Sequence, residues 1–284
     1  MTGAILSVAI PIWKMSDIAW IAFESLINQQ NIDFEWELII AEESEEAFGL
    51  KGIGPYKDRL KKVGCTNIKY IELSSWVPLS KKWLLMADAA APTSQHFLLH
   101  GADSYSPSLR LKETYDIFES TGCDWVDTDH SYWYEIKLGE YFYWYAPPDC
   151  RIQKPIPRCM YMATRTPALR KIHQEYLGDM VIDPDKRSNL RGFPRSSVDK
   201  WMCSLLRKNN PDLITKKNES DNWKTGLETN GCNKISTTRP FYMQRKLWPF
   251  NHPPPESRSI IESRYTSPLL NRLKIMTEFK NEKS

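Results

Sequence analysis

The sequence lacks several features that would place it in common protein classes. Its six cysteines are scattered without a C-x-x-C pair, and no apolar segment of a secretory signal precedes them, so reduced thiols in a cytoplasmic location are expected. No apolar run approaches the roughly 20 residues that a membrane helix needs, which predicts no integral membrane segment. The net charge is only +3, which permits an anionic partner without requiring one. Internal repeats are also absent.

Apolar runs alternate with helical periodicities along the first part of the chain. Residues 5–11 form a nearly continuous apolar run that ends in proline, which is typical of a strand buried on both faces. Residues 16–30 carry apolar positions at helical spacing, and residues 37–41 predict a second strand. This alternation predicts an α/β fold with a mixed, mostly parallel sheet flanked by helices.

Acidic residues follow two of the predicted strands. Residues 97–107 begin as an apolar strand, meet Gly101 and present Asp103 before a proline begins the next element. Glu42 and Glu43 come directly after the second strand. Open α/β sheets bind ligands at the carboxyl ends of their strands, which favours a ligand site here. The alternative for the two glutamates is a solvated turn that caps a helix.

Two adjacent lysines stand at the start of another predicted helix. Lys81 and Lys82 would oppose the dipole of that helix unless an anionic group lies nearby. Ordinary surface lysines are the alternative.

Aromatic residues are unusually dense in residues 125–145. A packed β-hairpin is the simpler interpretation, because aromatic side chains favour strands. A stacking surface for sugar rings or nucleobases is the functional alternative.

Three short segments carry a family resemblance. Residues 7–14 read S-V-A-I-P-I-W-K and residues 24–29 read E-S-L-I-N-Q, close to the patterns S-V-I-I-P-T-Y-N and E-S-L-L-N-Q. Residues 39–44 are similar to the pattern I-V-V-D-D-G-S. Over roughly residues 4–210 the chain therefore resembles GT-A glycosyltransferases of the family 2 type. The resemblance implies a Rossmann-like GT-A domain at 1–210, followed by a C-terminal extension at 211–284.

The resemblance also implies where a nucleotide-sugar donor binds. The loop after the first strand would hold the nucleoside together with one of the two glutamates, and the lysines would assist at the diphosphate. Residues 97–107 match the D-x-D segment, whose common form is F-L-D-x-D-D-x-x-x-P. The donor-binding residues expected on this basis are Pro11, Trp13, Glu42, Glu43, Lys81, Lys82, Ala102 and Asp103.

This sequence departs from the D-x-D pattern. With the proline aligned, the acidic run becomes His100, Gly101, Ala102 and Asp103, so only the last carboxylate remains. A divalent cation, Mn²⁺ or Mg²⁺, is expected to bind through Asp103 and the donor phosphates. His100 is a candidate second metal ligand. The alternative for His100 is a structural histidine beside a core strand.

Asp199 takes the place of the acid in the family's E-D motif. That acid serves as general base, and an inverting transferase needs one to take the proton of the acceptor hydroxyl. The alternative is that Asp199 stabilises the first turn of a helix.

The resemblance implies transfer of a sugar from a nucleotide-sugar donor, with UDP favoured, to a hydroxyl acceptor. The acceptor is either a saccharide or a hydroxymethylated base in DNA, as in phage DNA-modifying transferases. The DNA version is motivated by basic and aromatic residues near the C-terminus, with Arg239, Arg245 and Trp248 as candidate acceptor-binding residues. A non-catalytic glycan- or nucleic-acid-binding module is the alternative from another class. A nucleotidyltransferase is less favoured, because no glycine-rich phosphate loop follows the first strand.

Overall fold

The computed structural model describes a continuous core and several shorter segments of the chain. The described residues are 3–13, 19–43, 48–102, 104–106, 108–123, 125–126, 130–135, 140–145, 163–176, 215–216 and 233–236. Five of the predicted functional residues lie outside these ranges, namely Asp103, Asp199, Arg239, Arg245 and Trp248.

Strands and helices alternate in the first half of the chain, as the sequence predicts. The strands are β1 (Leu6–Ile12), β2 (Trp36–Glu43), β3 (Cys65–Leu73), β4 (His96–Leu99), β5 (Ser104–Tyr105), β6 (Trp125–Val126), β7 (His130–Glu135), β8 (Glu140–Tyr145), β9 (Ala163–Arg165), β10 (Thr215–Lys216) and β11 (Asn233–Ser236). The helices are α1 (Trp20–Leu26), α2 (Phe48–Gly52), α3 (Lys57–Lys62), α4 (Leu79–Ala89), α5 (Arg110–Thr121) and α6 (Thr166–Tyr176), with a 3₁₀ turn at Gly54–Tyr56.

The main sheet is mixed and mostly parallel. Its strand order is β10-β6-β9-β4-β1-β2-β3, and β9 is the strand that runs antiparallel to both of its neighbours. At its centre Val8 pairs with Leu38 on one side and with Leu98 on the other. The predicted α/β class and sheet type are therefore confirmed.

The central strands are buried because helices cover both faces of the sheet. On one face Val8 and Ile10 pack in a cluster with Phe23 of α1 and Leu111 and Phe118 of α5. On the other face a second cluster joins β1, β2 and β4 to α4 and α6; its members include Ala9, Ile39, Trp83, Leu84, Phe97, Leu169 and Ile172. This two-sided burial explains why residues 5–11 read as an uninterrupted apolar run.

A second, four-stranded sheet has the order β5-β11-β7-β8. Strands β7 and β8 pair antiparallel, which agrees with the hairpin interpretation of the aromatic-rich residues 125–145. Strands β10 and β11 come from the predicted C-terminal extension and pair with β6 of the main sheet and with β5 and β7 of the second sheet. The extension is thus joined to the α/β core by strand pairing, and the boundary at residue 210 stays a prediction.

Some elements differ from their predicted limits. The helix expected at 16–30 covers Trp20–Leu26 in the described part of the chain. The strand predicted at 37–41 extends over Trp36–Glu43. Within the described residues, no helix combines the length and apolar character needed to cross a membrane.

Candidate functional site

The carboxyl ends of the parallel strands bring most of the described site residues to one edge of the sheet. Trp13 follows β1, Glu42 and Glu43 are the last residues of β2, and His100 follows β4. Because β1 pairs in parallel with both β2 and β4, these ends lie side by side. The edge is where an α/β fold places a ligand.

Glu43 forms a buried ion pair with Lys82 at this edge. The Nζ atom of Lys82 lies 2.7 Å from Glu43 Oε2 and also donates to the backbone oxygen of Ile12 at 2.8 Å. The other carboxylate oxygen accepts the N–H of Val77 at 3.3 Å. Burial lowers the pKa of Lys82, and the carboxylate of Glu43 opposes that shift. The anionic group that the sequence required beside the lysines is therefore Glu43 itself.

Glu42 points away from Glu43, because successive side chains of a strand alternate between faces. Its Oε2 atom accepts the N–H of Gly49 at 2.6 Å and the hydroxyl of Tyr70 at 3.1 Å. Burial raises the pKa of Tyr70, and the neighbouring carboxylate of Glu42 raises it further. A Cβ atom on Gly49 would lie 2.7 Å from Ile40 Cγ2, so glycine permits this close approach.

The two glutamates do not form a solvated turn, although Glu42 does accept the N–H of Gly49 in the first turn of α2, which is the helix-capping part of that alternative. Both side chains are buried and both belong to β2 rather than to a loop that follows it. Strand β2 stays buried to its last residue, although its last two residues are acidic. Each carboxylate is held by donors within the protein, which fixes its direction.

Two tryptophans stand beside the Glu43–Lys82 pair. The rings of Trp13 and Trp76 meet edge to face with centroids 6.5 Å apart, and 49% of Trp13 is exposed. Trp76 lies between β3 and α4 and is partly buried. The sequence reasoning did not select Trp76. Only the structure shows that the neighbouring Val77 amide binds Glu43 and that the Trp76 ring contacts Trp13.

The positions of Pro11 and Lys81 say less about their predicted role in donor binding. Pro11 is the partly exposed residue of β1, directly before the strand's last position. Lys81 is buried in the first turn of α4, and burial lowers its pKa. The structure places both near the carboxyl edge of the sheet.

His100 lies in a fully buried polar cluster behind the turn that leads to β5. Its Nε2 atom is 3.2 Å from Ser25 Oγ and 3.4 Å from Ser106 Oγ, and Arg110 Nη1 is 3.5 Å from Nδ1. Arg110 also donates to the oxygen of Leu99 at 3.0 Å. Burial lowers the pKa of His100 well below its usual value, and the guanidinium of Arg110 lowers it further.

His100 does not fit the role of a metal ligand in this arrangement. Both ring nitrogens face other side chains, and a guanidinium beside the ring would repel a cation. Ala102 is buried and offers no ligand atom. Across the described ranges, no three His, Cys, Asp or Glu side chains come together as a metal site. The alternative interpretation, a structural histidine, is the one that this geometry favours.

The comparisons with known proteins yield matches to solved structures only. No protein-family model and no curated protein sequence matches the chain. The mannosyltransferase PcManGT from Pyrobaculum calidifontis, solved with GDP-Man and Mn²⁺, is similar with a TM-score of 0.55 at 10% identity, over 85% of this chain and 59% of that one. S. aureus TarS 1–349, solved with UDP-GlcNAc, gives a TM-score of 0.51 at 12% identity, over 84% of this chain and 60% of that one.

The chain has the GT-A fold. At these identities the likeness establishes the fold alone. The chain spans about three fifths of the length of the two structures. The expected GT-A architecture is confirmed, whereas the roles of the individual site residues rest on the geometry described above.

Proposed function

We propose that this chain is a glycosyltransferase that transfers a sugar from a nucleotide-sugar donor to a hydroxyl acceptor. The observation that carries the proposal is the carboxyl edge of the sheet, where an exposed tryptophan, two fixed carboxylates and a buried lysine meet. Two similar structures of the same fold were solved with nucleotide sugars, UDP-GlcNAc and GDP-Man. Among donors we favour UDP-sugars.

Trp13 supplies the surface for the nucleobase in this proposal. Its ring is half exposed at the end of β1, and an indole face stacks on any base, typically for about 1–3 kcal/mol. Glu42 and Glu43 contribute less directly than the family pattern implies. Glu42 Oε2 and both carboxylate oxygens of Glu43 already accept hydrogen bonds, from Gly49, Tyr70, Val77 and Lys82, so in this proposal the two side chains shape the nucleoside site by fixing the loops around it.

Asp103 is proposed to face the donor diphosphate from the turn after β4. The flanking turn is held in place, because Ser104 N–H donates to the oxygen of Gly101 at 3.0 Å and Arg110 ties Ser106 to Leu99. With His100 engaged in the core, any divalent cation in this proposal, Mn²⁺ or Mg²⁺, has Asp103 as its protein ligand. A bound divalent cation stabilises negative charge on a leaving diphosphate.

Asp199 is proposed as the general base of an inverting reaction. In that role its carboxylate takes the proton of the acceptor hydroxyl while the hydroxyl oxygen attacks C1 of the sugar, and the nucleoside diphosphate leaves from the opposite face. The acceptor is either a saccharide or a hydroxymethylated base in DNA. Arg239, Arg245 and Trp248 are the proposed acceptor-binding residues.

A non-catalytic binding module is the second candidate. The observation that favours it is the replacement of two acids of the D-x-D segment by His100 and Ala102, of which one is engaged in the core and the other lacks a ligand atom. A module of this kind would keep the GT-A fold and bind a glycan or nucleic acid without turnover.

The experiment incubates the purified chain with UDP-glucose, UDP-GlcNAc or GDP-mannose, with and without Mn²⁺. Acceptors are a saccharide panel and duplex DNA with or without hydroxymethylated bases. Release of nucleoside diphosphate together with labelled acceptor supports the transferase. Binding of a saccharide or of DNA, without donor binding and without release of nucleoside diphosphate in any combination, supports the binding module instead, and label in saccharides but never in DNA excludes the DNA acceptor.

A further inference from the structure

Lys82 joins three elements at one buried ammonium group. It lies in the first turn of α4, and its two hydrogen bonds reach the carboxyl ends of β1 and β2, at Ile12 and Glu43. A cation in the first turn of a helix opposes the helix dipole, and a buried ammonium is costly unless it is paired. Neither local helix stability nor solvation explains a lysine at this position.

The bonds of Lys82 lead directly to the two tryptophans. The Ile12 oxygen that accepts from Lys82 belongs to the rigid peptide group that joins Ile12 to Trp13. The Val77 N–H that binds the other oxygen of Glu43 belongs to the peptide group that joins Trp76 to Val77. A single planar peptide group thus connects each tryptophan to the Glu43–Lys82 pair: that of Trp13 binds Lys82, and that of Trp76 binds Glu43.

We propose that Lys82 is a positioning residue that acts through the Ile12 oxygen and through Glu43 to hold Trp13 and Trp76 edge to face, as two walls of one surface against which a nucleobase packs. Trp76 is the second wall of that surface. This inference rests on the proposed function, because it takes the nucleotide part of the donor as the ligand. The edge-to-face contact of the two rings, with centroids 6.5 Å apart, is the arrangement that the lysine maintains.

The positioning role proposed for Lys82 depends on its positive charge as well as on its length. The groups that face it are the carboxylates of Glu43 and Glu42 from β2 and the backbone oxygen from β1, with Lys81 adjacent on its own helix. Burial lowers its pKa, so the ammonium loses its proton at a lower pH than a solvated lysine does. Nucleotide affinity should therefore fall on the alkaline side. Arginine remains protonated throughout the accessible pH range, so Lys82→Arg should make that alkaline decline shallower.

The same sheet offers a matched control. Lys69 lies 3.0 Å from Glu37 Oε2 and donates to the oxygen of Ala89 at 2.6 Å. This pair also joins a carboxylate of β2 to a backbone oxygen of α4, but at the opposite end of both elements. Lys69→Met removes an ion pair to a buried carboxylate, with a lysine that is more exposed than Lys82, without touching the peptide groups beside the tryptophans.

The test measures binding of UDP and of GDP to the full chain by calorimetry, together with thermal unfolding, for the wild type, Lys82→Met, Lys82→Arg, Lys69→Met and Trp76→Ala. Lys82→Met and Trp76→Ala should each weaken nucleotide binding by roughly tenfold or more, the scale expected when a binding group is slightly misplaced. Lys69→Met should lower the melting temperature while the dissociation constant stays within about twofold of wild type.

Equal nucleotide affinity in folded Lys82→Met and wild type would overturn the inference. So would an equal loss in Lys69→Met and Lys82→Met, because the effect would then follow general stability. Should Lys82→Met not fold, the pH profile decides by comparison, because the ring N–H of the nucleobase also titrates at alkaline pH: a decline equally steep in Lys82→Arg and wild type overturns the inference, and a shallower decline in Lys82→Arg supports it. Failure of the folded wild type to bind any nucleotide would instead refute the proposed function.

Discussion

The guanidinium Nη1 of Arg110 lies 3.5 Å from Nδ1 of His100, and both side chains are buried. Since arginine always donates, Nδ1 is the acceptor. The proton of the neutral imidazole then resides on Nε2, which faces Ser25 Oγ; that hydroxyl in turn donates to the oxygen of Ala22 at 2.7 Å. This arrangement makes His100 part of the buried scaffold that joins α1, the end of β4 and α5.

His100→Gln should therefore destabilise the fold without altering metal dependence. Disturbing the buried cluster should cost about 1–3 kcal/mol in free energy of unfolding, measured by urea titration. The effect of Mn²⁺ on UDP affinity should remain as in the wild type. Loss of the Mn²⁺ effect in a folded variant would restore His100 as a metal ligand.

Glu37→Gln should be among the more destabilising substitutions in the sheet. The Glu37 carboxylate is buried, accepts the hydroxyl of Ser7 at 2.6 Å and lies 3.0 Å from Lys69 Nζ. Loss of that charge-assisted pairing should lower the free energy of unfolding by about 2–4 kcal/mol. Urea titration measures the change.

Glu24→Gln provides the control for that prediction. Glu24 pairs with Arg59 at 3.7 Å, and Arg59 is largely exposed. Exposed pairs contribute about 0–1 kcal/mol, so this variant should lie close to wild type. Equal losses for the two variants would contradict a special role for the buried carboxylate.

Stability should fall as the pH drops from neutrality toward 4, partly because of His96. This buried ring stacks on Phe118 at 4.5 Å, accepts from Arg165 and faces Glu119, and burial lowers its pKa to about 4. In the unfolded chain the pKa returns to about 6.5, so the unfolded state binds the extra proton between these values. Acid therefore favours unfolding in this window.

His96→Gln should flatten that part of the stability profile, although its stability at pH 7 is lower. Chemical denaturation of the wild type and of His96→Gln at a series of pH values between 4 and 7 gives the dependence of unfolding free energy on pH for each protein. The same slope in both proteins would show that His96 keeps an ordinary pKa in the folded state.

Asp199→Asn should abolish most turnover while leaving donor affinity intact. Removal of a general base typically lowers a rate by about 10²–10⁴-fold. Nucleoside diphosphate release at saturating donor measures the rate, and calorimetry with the donor alone measures affinity. Turnover of Asp199→Asn near the wild-type rate would show that Asp199 is not the general base.

The sequence predicts the parallel core well, because a strand that is buried on both faces appears in the sequence as a continuous apolar run. The apolar run at 5–11 corresponds to β1, and its neighbours in the sheet come from equally apolar stretches. The end of β2 was harder to predict. The sequence leaves a solvated turn open as the alternative to a ligand site for Glu42 and Glu43, because the partners that permit their burial, Gly49, Tyr70, Val77 and Lys82, lie elsewhere in the sequence.

Similar limits apply to the candidate site. The sequence selects Trp13 and Lys82 through a family pattern and through helix electrostatics, but no local pattern connects either residue to Trp76. Their relationship depends on two hydrogen bonds between a side chain and the backbone, from Val77 N–H to Glu43 and from Lys82 to the Ile12 oxygen, which cross between elements. The roles of His100 and Arg110 likewise follow from a buried cluster assembled from α1, the end of β4 and α5.

The most direct test of the account is calorimetric titration of UDP-GlcNAc and GDP-mannose into the wild type and into Trp13→Ala. Saturable binding of at least one donor is predicted for the wild type, with a loss of roughly tenfold in Trp13→Ala at an unchanged melting temperature. A folded wild-type protein that binds neither these donors nor UDP or GDP, with or without Mn²⁺, would contradict the central claim that the edge formed by β1, β2 and β4 is a nucleotide-sugar site.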